Sequence, residues 1–260
     1  MSLVYLITGL PPLRRDQPPP LARAEFVRRC RDLLDGPDRA ELELLLRIEA
    51  VEETVRLDLE VRLRGGDAED ALSAIITQRR DGADVEHLPE WLLRPALQHE
   101  LMRRHYFELT RAARTDFLRD WANFRVDMGE VTTAALAKQQ GLTGDAFLEQ
   151  MLGSFDASAP VIIRHWEEAD LGLGRRFHWL PTVLEALADD DLTAMSKTLH
   201  DVAWEKLDSM QPLELFSIET LLGTYLKLRI LEREASWDAE AGADVLSRIL
   251  KLPEEAGLTT

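Results

Sequence analysis

Cysteine is nearly absent from this sequence, because Cys30 is the only one among its 260 residues. A single cysteine cannot form an internal disulfide or a cysteine-based zinc site. This composition suits a reducing compartment, so we expect the protein in the cytoplasm. The chain also lacks an uncharged apolar run of about 18 residues and a basic leader, which predicts neither a membrane span nor a signal peptide. We expect any membrane association to occur through a partner.

Basic residues are also scarce relative to acidic ones. Lysine and arginine total 31 against 47 aspartate and glutamate residues, for a net charge of -16. Such a field repels phosphate backbones and anionic lipids, so nucleic acid is excluded as an expected partner. The net charge is -5 for residues 1–130 and -11 for residues 131–260. Two interpretations stay open: the acidic excess keeps the protein soluble, or it attracts a basic protein surface.

Five prolines stand between positions 11 and 20, where they predict an extended connector without helix or paired strand. Apolar residues at helical spacing then predict a helix over 21–35 and a second one from Pro37 to about Gly65. Residues 55–63 also alternate strictly between apolar and charged side chains, which is a strand pattern. The alternatives are therefore a continued helix and a small two-stranded pairing with residues 3–7.

The rest of the chain carries helical signals almost throughout. We predict a short helix over 67–80 and a very long one from Pro89 or Pro95 to Gln140, interrupted around Thr115 and Asp116. Further helices are predicted over residues 143–152, 160–169, 177–188, 189–210, 217–236 and 238–251. The predicted fold class is all-α, an array of long antiparallel helices in which that one small strand pairing is the only sheet allowed. We expect an N-terminal helical half over 1–140 and a C-terminal half over 141–260, closely packed on each other.

No motif that would support catalysis, cofactor binding or metal binding stands out, so we predict no catalytic, cofactor-binding or metal-ligating residues and no cofactor. Neither a phosphate-binding glycine loop nor a nucleophile elbow occurs. Asp84 to His87 imitates half of a di-iron ligand pair without its second copy. His165 and Glu168 are expected to form a surface pair, Cys30 is expected to be a structural thiol, and residues 171–176 are expected to form a turn.

Aromatic residues at helical spacing are expected to lie in the core. These residues are Trp121, Phe124, Trp166, Trp179, Trp204, Phe216 and Tyr225. Gly223 interrupts a strong helical pattern, which suggests close approach by another helix.

Three segments resemble a known family. They are Tyr5-Leu6-Ile7-x-Gly9-Leu10-Pro11, Phe117-Leu118-x-x-Trp121-x-x-Phe124, and residues 200–233, which include Trp204-x-x-Leu207-Asp208. They look like poorly characterised bacterial proteins encoded alongside V-type ATPase subunits. That family is distantly similar to the C subunit of V-type ATPases, which is equivalent to the d subunit of the eukaryotic enzyme. The C subunit is an all-α funnel that sits on the membrane rotor ring and receives the central shaft.

The resemblance implies a non-catalytic coupling subunit of a bacterial rotary ATPase. Its partners would be other V-type ATPase subunits, the central shaft and the membrane rotor ring, and it would be peripheral to the inner membrane through them. The alternative is a stand-alone α-helical enzyme or small-molecule-binding protein whose site is built from residues distant in sequence.

Overall fold

The computed structural model describes residues 2–63, 111–139, 141, 143, 144, 147 and 159–235. Every regular element within these residues is an α-helix. The helices are α1 Ser2–Thr8, α2 Arg23–Leu33, α3 Gly36–Leu63, α4 Asp116–Gln139, α5 Ala159–Arg164, α6 Leu180–Ala188, α7 Leu192–Ser209 and α8 Ile218–Ala235. The predicted all-α class is confirmed for this part of the chain.

Of the two alternatives for residues 55–63, the structure has the continued helix and not the two-stranded pairing. Residues 3–7 belong to α1, and residues 55–63 form the end of α3. A helix satisfies its backbone N–H and C=O groups internally, whereas an isolated strand pair leaves one edge of each strand unpaired. The alternation of apolar and charged residues is therefore compatible with the continued helix, which was the other alternative.

The proline-rich connector between α1 and α2 contains no helix, as predicted. Its position is set by Arg15, whose Nη2 lies 2.7 Å from Asp201 Oδ1 on α7. The same guanidinium group donates to the carboxylate of Glu234 on α8. The connector is thus held against two helices that lie far away in sequence.

The predicted interruption near Thr115 is confirmed, because α4 begins at Asp116. The buried carboxylate of Glu41 on α3 accepts hydrogen bonds from the Thr115 backbone N–H at 2.9 Å and from its hydroxyl at 2.7 Å. Glu41 also accepts from the Arg114 backbone N–H at 3.1 Å. A carboxylate from another helix therefore satisfies the free N–H groups that precede α4.

Helices α5, α6, α7 and α8 correspond to the predicted segments 160–169, 177–188, 189–210 and 217–236, respectively. Helix α5 begins one residue before its predicted segment, and the other three begin one to three residues after the start of theirs. Pro181 stands in the first turn of α6, where its missing N–H costs nothing. Asp191 caps α7 by accepting from the Ala194 N–H at 2.8 Å. The predictions for 67–80, 89–110 and 238–251, and most of that for 143–152, lie outside the described residues.

The buried apolar side chains form two clusters. The first core joins α1, α2, α3, the first half of α4, the end of α7 and α8; its members include Phe26, Leu42, Trp121, Leu222 and Tyr225. The second core joins the second half of α4, α5, α6 and the first part of α7; its members include Phe147, Ile162, Trp166, Trp179 and Val183. Helices α4 and α7 contribute to both cores. The division into residues 1–140 and 141–260 stays a prediction.

Candidate functional site

A buried ion cluster lies where α2, α3 and α8 meet. Its centre is Glu49 on α3, which is only 8% exposed. One carboxylate oxygen lies 3.1 Å from Arg23 Nη1 and accepts the hydroxyl hydrogen of Tyr225, and the other lies 3.0 Å from Arg229 Nε. Arg23 also binds Glu232 at 2.7 Å. This cluster ties the start of α2 to the middle of α3 and to α8.

Burial determines the protonation behaviour of this cluster. Burial lowers the pKa of Arg229 to about 10, although the nearby Glu49 carboxylate opposes that change. Burial and the Glu49 carboxylate together raise the pKa of Tyr225 above its usual value. Arg229 therefore stays a cation and Tyr225 a neutral phenol near neutral pH. Groups with these charges are suited to holding helices together and poorly suited to transferring protons.

A groove of about 710 Å³ lies over the ion cluster. Its walls carry charges of both signs. The basic residues are Arg23, Arg28, Arg31 and Arg229, and the acidic residues are Asp32, Glu49 and Glu232. Most of these charges are already joined in pairs such as Arg23 with Glu232. The groove therefore has little excess charge of either sign to select a charged ligand.

A second cleft of about 440 Å³ lies between α4, α7 and α8. Its lining includes Arg125 from α4, Ser196 and His200 from α7, and Arg233 from α8. His200 Nδ1 lies 3.1 Å from Glu234 Oε1. This cleft concentrates basic groups in a protein that is acidic as a whole.

The thiol and the histidine pair singled out by sequence have the expected structural places. Cys30 is fully buried in the first core, and burial raises the pKa of its thiol to about 12. A thiol with such a high pKa is a poor nucleophile at neutral pH. His165 Nδ1 lies 2.7 Å from Glu168 Oε1 at the surface. Both predictions are confirmed.

Residues 171–176 form the predicted turn. Asp170 organises it by accepting from the backbone N–H groups of Gly172 at 3.1 Å and Gly174 at 3.2 Å. Gly172 has a φ of +68°, which favours glycine. Arg176 then binds Asp127 on α4 at 2.9 Å, so the turn is anchored to a long helix.

The aromatic residues follow the core prediction with one clear exception. Trp121, Trp166, Trp179 and Tyr225 are buried, whereas Phe124 and Trp204 are partly buried and pack against the cores. Phe216 is 38% exposed, so its predicted place in the core is wrong. It lies just before α8, and helical spacing does not govern the direction of a side chain in a loop.

Gly223 faces Phe117 of α4, but the two are not in unusually tight contact. A Cβ atom built at Gly223 would lie 3.5 Å from Phe117 Cζ, which is an ordinary van der Waals separation. The expected close approach is therefore a contact with a side chain that leaves room for a methyl group.

Metal-binding and membrane-spanning features are not seen in the described part of the chain. None of its histidine, cysteine, aspartate and glutamate side chains come together in a group of three or more that would hold a metal ion. No helix there is long and apolar enough to cross a bilayer. The imitation ligand pair at residues 84–87, and His99 and His105, lie outside the described residues.

Sequence reasoning missed both the ion cluster and the basic cleft. A signal for the first exists, since Glu49 lies four residues after Leu45 and seven after Leu42 on the apolar face of α3. Arg229 likewise follows buried Tyr225 by four residues on α8. Charged residues at such positions indicate buried ion pairs. No comparable local signal marks the cleft, because its residues come from three helices.

These features define a helical protein in which buried charged side chains join the helices to one another. The chain belongs to the family described as protein of unknown function DUF2764, whose model matches residues 1–255. No curated protein and no solved structure matches the sequence.

Proposed function

We propose that this protein is a non-catalytic component of a bacterial V-type ATPase, similar to the C subunit, and that it couples the central shaft to the membrane rotor ring. It would work in the cytoplasm, peripheral to the inner membrane through its partner subunits. The observation that carries the proposal is an exposed apolar loop between α7 and α8, residues 210–217. Leu213 is fully exposed, Leu215 is 59% exposed, and Phe216 is 38% exposed.

Three large apolar side chains within four residues are unusual on the surface of so charged a protein. Both ends of the loop are anchored, because Met210 packs against the first core and Ile218 is buried in it. The anchoring limits the conformations that the loop must lose on binding. A loop presented in this way favours a function in which another protein covers it.

The resemblance of three segments to proteins encoded with V-type ATPase subunits supports the choice of partner. The charges near the loop favour a partner surface that combines apolar contact with basic groups, since Glu214 lies within the loop and Glu219 lies in the first turn of α8. Basic groups on a partner would steer the encounter, and apolar contact would hold the complex.

The loop can be tested by co-purification with the other V-type ATPase subunits. We expect the wild-type protein to be retained, and we expect Leu213→Ser combined with Leu215→Ser to reduce retention at least tenfold. Leu33→Ser is the matched control, because Leu33 on α2 is similarly apolar and 37% exposed but lies outside the loop. Absence of wild-type binding to every ATPase subunit would refute the proposal. If the double variant were retained as well as Leu33→Ser and the wild-type protein, the role of the loop would be refuted.

Salt dependence tests whether the acidic excess takes part in binding. We expect the association rate to fall markedly between about 0.05 and about 0.5 M salt, because the Debye length shrinks from about 14 to about 4 Å. The dissociation rate is expected to change less. An association rate that stays constant over this range would show that the net charge of -16 serves solubility alone.

A stand-alone enzyme or small-molecule-binding protein is the second candidate function. The observation that favours it is the pair of clefts of about 710 and about 440 Å³, volumes typical of ligand sites. Saturable binding of a small molecule by a protein that binds no ATPase subunit would favour this candidate over the first.

A further inference from the structure

The cleft between α4, α7 and α8 carries an unusual set of side chains. Two guanidinium groups line it, Arg125 from α4 and Arg233 from α8, together with the Ser196 hydroxyl and the His200 ring from α7. No carboxylate belongs to its lining among the described residues. All four side chains are partly buried, so they are accessible and yet partly shielded from solvent.

Two carboxylates near the cleft, those of Glu234 and Glu130, are not among its lining residues. Glu234, next to Arg233 in sequence, accepts from Arg15 and lies 3.1 Å from His200 Nδ1. Glu130 on α4 is completely buried and does not line the cleft. The lining of the cleft itself therefore carries positive charge and no carboxylate.

The protonation state of His200 reflects both its burial and the positive charges around it. Burial lowers its pKa to about 3, and the positive charges of Arg233, Arg15 and Arg125 add to the decrease. His200 is thus neutral at neutral pH. Because a carboxylate only accepts hydrogen bonds, the His200 proton resides on Nδ1 and is donated to Glu234. The arginine charges disfavour a further cation at His200, whereas burial, the larger cause, disfavours a charge of either sign.

The polar groups of the cleft differ in what they can donate to a ligand. Thr132 and Thr133 donate to the backbone carbonyl oxygens of Met128 and Gly129, each at 2.7 Å. Their hydroxyl hydrogens are therefore directed into the helix. A guanidinium group carries several N–H donors, so each arginine can bind a ligand in addition to a partner within the protein. The Ser196 hydroxyl supplies a further donor.

We propose that this cleft binds a small phosphate-bearing anion through Arg125, Arg233 and Ser196. Guanidinium groups match phosphate oxygens in paired hydrogen bonds, and arginines on two helices would contact different oxygens of one tetrahedral group. A volume of about 440 Å³ accommodates phosphate together with a small organic group. The inference is independent of the proposed ATPase association, because the cleft and the α7–α8 loop have no lining residue in common.

Calorimetric titration with inorganic phosphate, at constant ionic strength and with chloride as the replaced ion, tests the proposal. We expect saturable binding by the wild-type protein. Arg233→Gln and Arg125→Gln are each expected to raise the Kd at least tenfold. Arg164→Gln is the matched control, because this exposed arginine at the end of α5 lies outside the cleft, and its Kd is expected to stay within twofold of wild type.

Ser196→Asp is a second variant that leaves both arginines in place. It adds a carboxylate to the cleft and is expected to abolish phosphate binding while far-UV circular dichroism stays unchanged. If an arginine variant fails to fold, Ser196→Asp still tests whether phosphate binds in this cleft.

A second titration, with vesicles, distinguishes a phosphate group on a lipid headgroup from one on a free compound. We compare vesicles of phosphatidylcholine alone with vesicles that also contain a phospholipid bearing a phosphomonoester headgroup. Binding to the second kind only, lost in Arg233→Gln, would assign the site to a lipid headgroup; phosphate binding without vesicle binding would assign it to a free phosphate compound. Absence of both, or binding that Arg125→Gln, Arg233→Gln and Ser196→Asp all leave unchanged, would overturn the proposal. None of these results depends on binding to ATPase subunits.

Discussion

The two cores of this protein differ in how many charged side chains are buried in them. The first core is crossed by buried charges, since Glu41 and Glu49 on α3 and Lys227 on α8 are all less than 9% exposed. The second core is built mainly of apolar and aromatic side chains, such as Phe147 and Trp166, whose ring centroids lie 5.1 Å apart. Among the described residues it has fewer buried charges than the first core: Glu130 is completely buried on α4 between Met128 and Val131, two members of the second core.

This difference affects how strictly each core determines which helices pack together and in what arrangement. Apolar packing rewards any side chain of suitable size, so related apolar substitutions are tolerated. A buried carboxylate is stable only when its particular partners are present, so Glu49 requires Arg23, Tyr225 and Arg229 at their positions. The first core therefore selects one arrangement of α2, α3 and α8, and the second core relies on shape.

The largest expected effect is that of Glu49→Ala. It removes the Glu49 carboxylate from the Arg229 guanidinium, whose side chain is only 15% exposed, and we expect the free energy of unfolding to fall by about 3–5 kcal/mol. Urea unfolding followed by circular dichroism measures the change. The double variant Glu49→Met and Arg229→Met is expected to recover most of the loss, because it removes both charges. A double variant as unstable as Glu49→Ala would show that the charges do not control this core.

The next effect concerns pH and His200. Its pKa is about 3 in the folded protein, well below the usual 6.5. Between these values the unfolded chain binds a proton that the folded protein does not, so stability falls as pH falls. We expect this residue to contribute about 1 kcal/mol per pH unit within that window.

Unfolding at pH 7 and pH 4 checks the His200 contribution. His200→Asn keeps a donor near Glu234 and is expected to reduce the pH dependence. The control is His178→Asn, since the His178 side chain is 82% exposed and its variant should retain the wild-type slope. Equal slopes in all three proteins would contradict the prediction.

Substituting one glycine near each core compares the backbone of the two regions. We expect the larger change in the free energy of unfolding at Gly172, which lies beside the second core. Gly172→Ala is expected to lower the free energy of unfolding by about 1–3 kcal/mol, because φ is +68° and the new Cβ would lie 2.6 Å from His165 Cγ. Thermal unfolding measures this loss. In a His165→Ala background only the clash with the ring is removed, because the Cβ of residue 165 would still lie 2.8 Å from the new Cβ, so we expect only part of the loss to disappear. A neutral Gly172→Ala would contradict both the clash and the backbone strain.

Gly223 in the first core is expected to give the smallest effect, of opposite sign. Gly223→Ala should raise the free energy of unfolding by up to about 1 kcal/mol, because alanine favours the helix and a methyl group fits at 3.5 Å from Phe117. Gly223→Val is the control for space, since its larger side chain would press on Phe117. Destabilisation by alanine would show that the contact between α4 and α8 is tighter than this distance indicates.

Much of the fold was predictable because it depends on neighbours in sequence. The prolines between 11 and 20 remove the helix there, and apolar spacing of 3.6 residues marks the helices that follow. The open choice at residues 55–63 and the error at Phe216 have local causes as well. Residues 55–63 fit two periods at once, and Phe216 lies in a loop where neither period applies.

The sequence by itself determined the helical class, the interruptions between the described helices, the acidic charge and the burial of Cys30, Trp121, Trp166 and Trp179, since short-range periodicity and composition control these properties. Only the tertiary structure decided which charges meet. Glu49 joins Tyr225 across 176 positions, and Arg15 joins Glu234 across 219. The cleft of Arg125, His200 and Arg233 arises in the same way, because such contacts depend on how helices pack, and no pattern along one helix encodes the neighbour that another helix supplies.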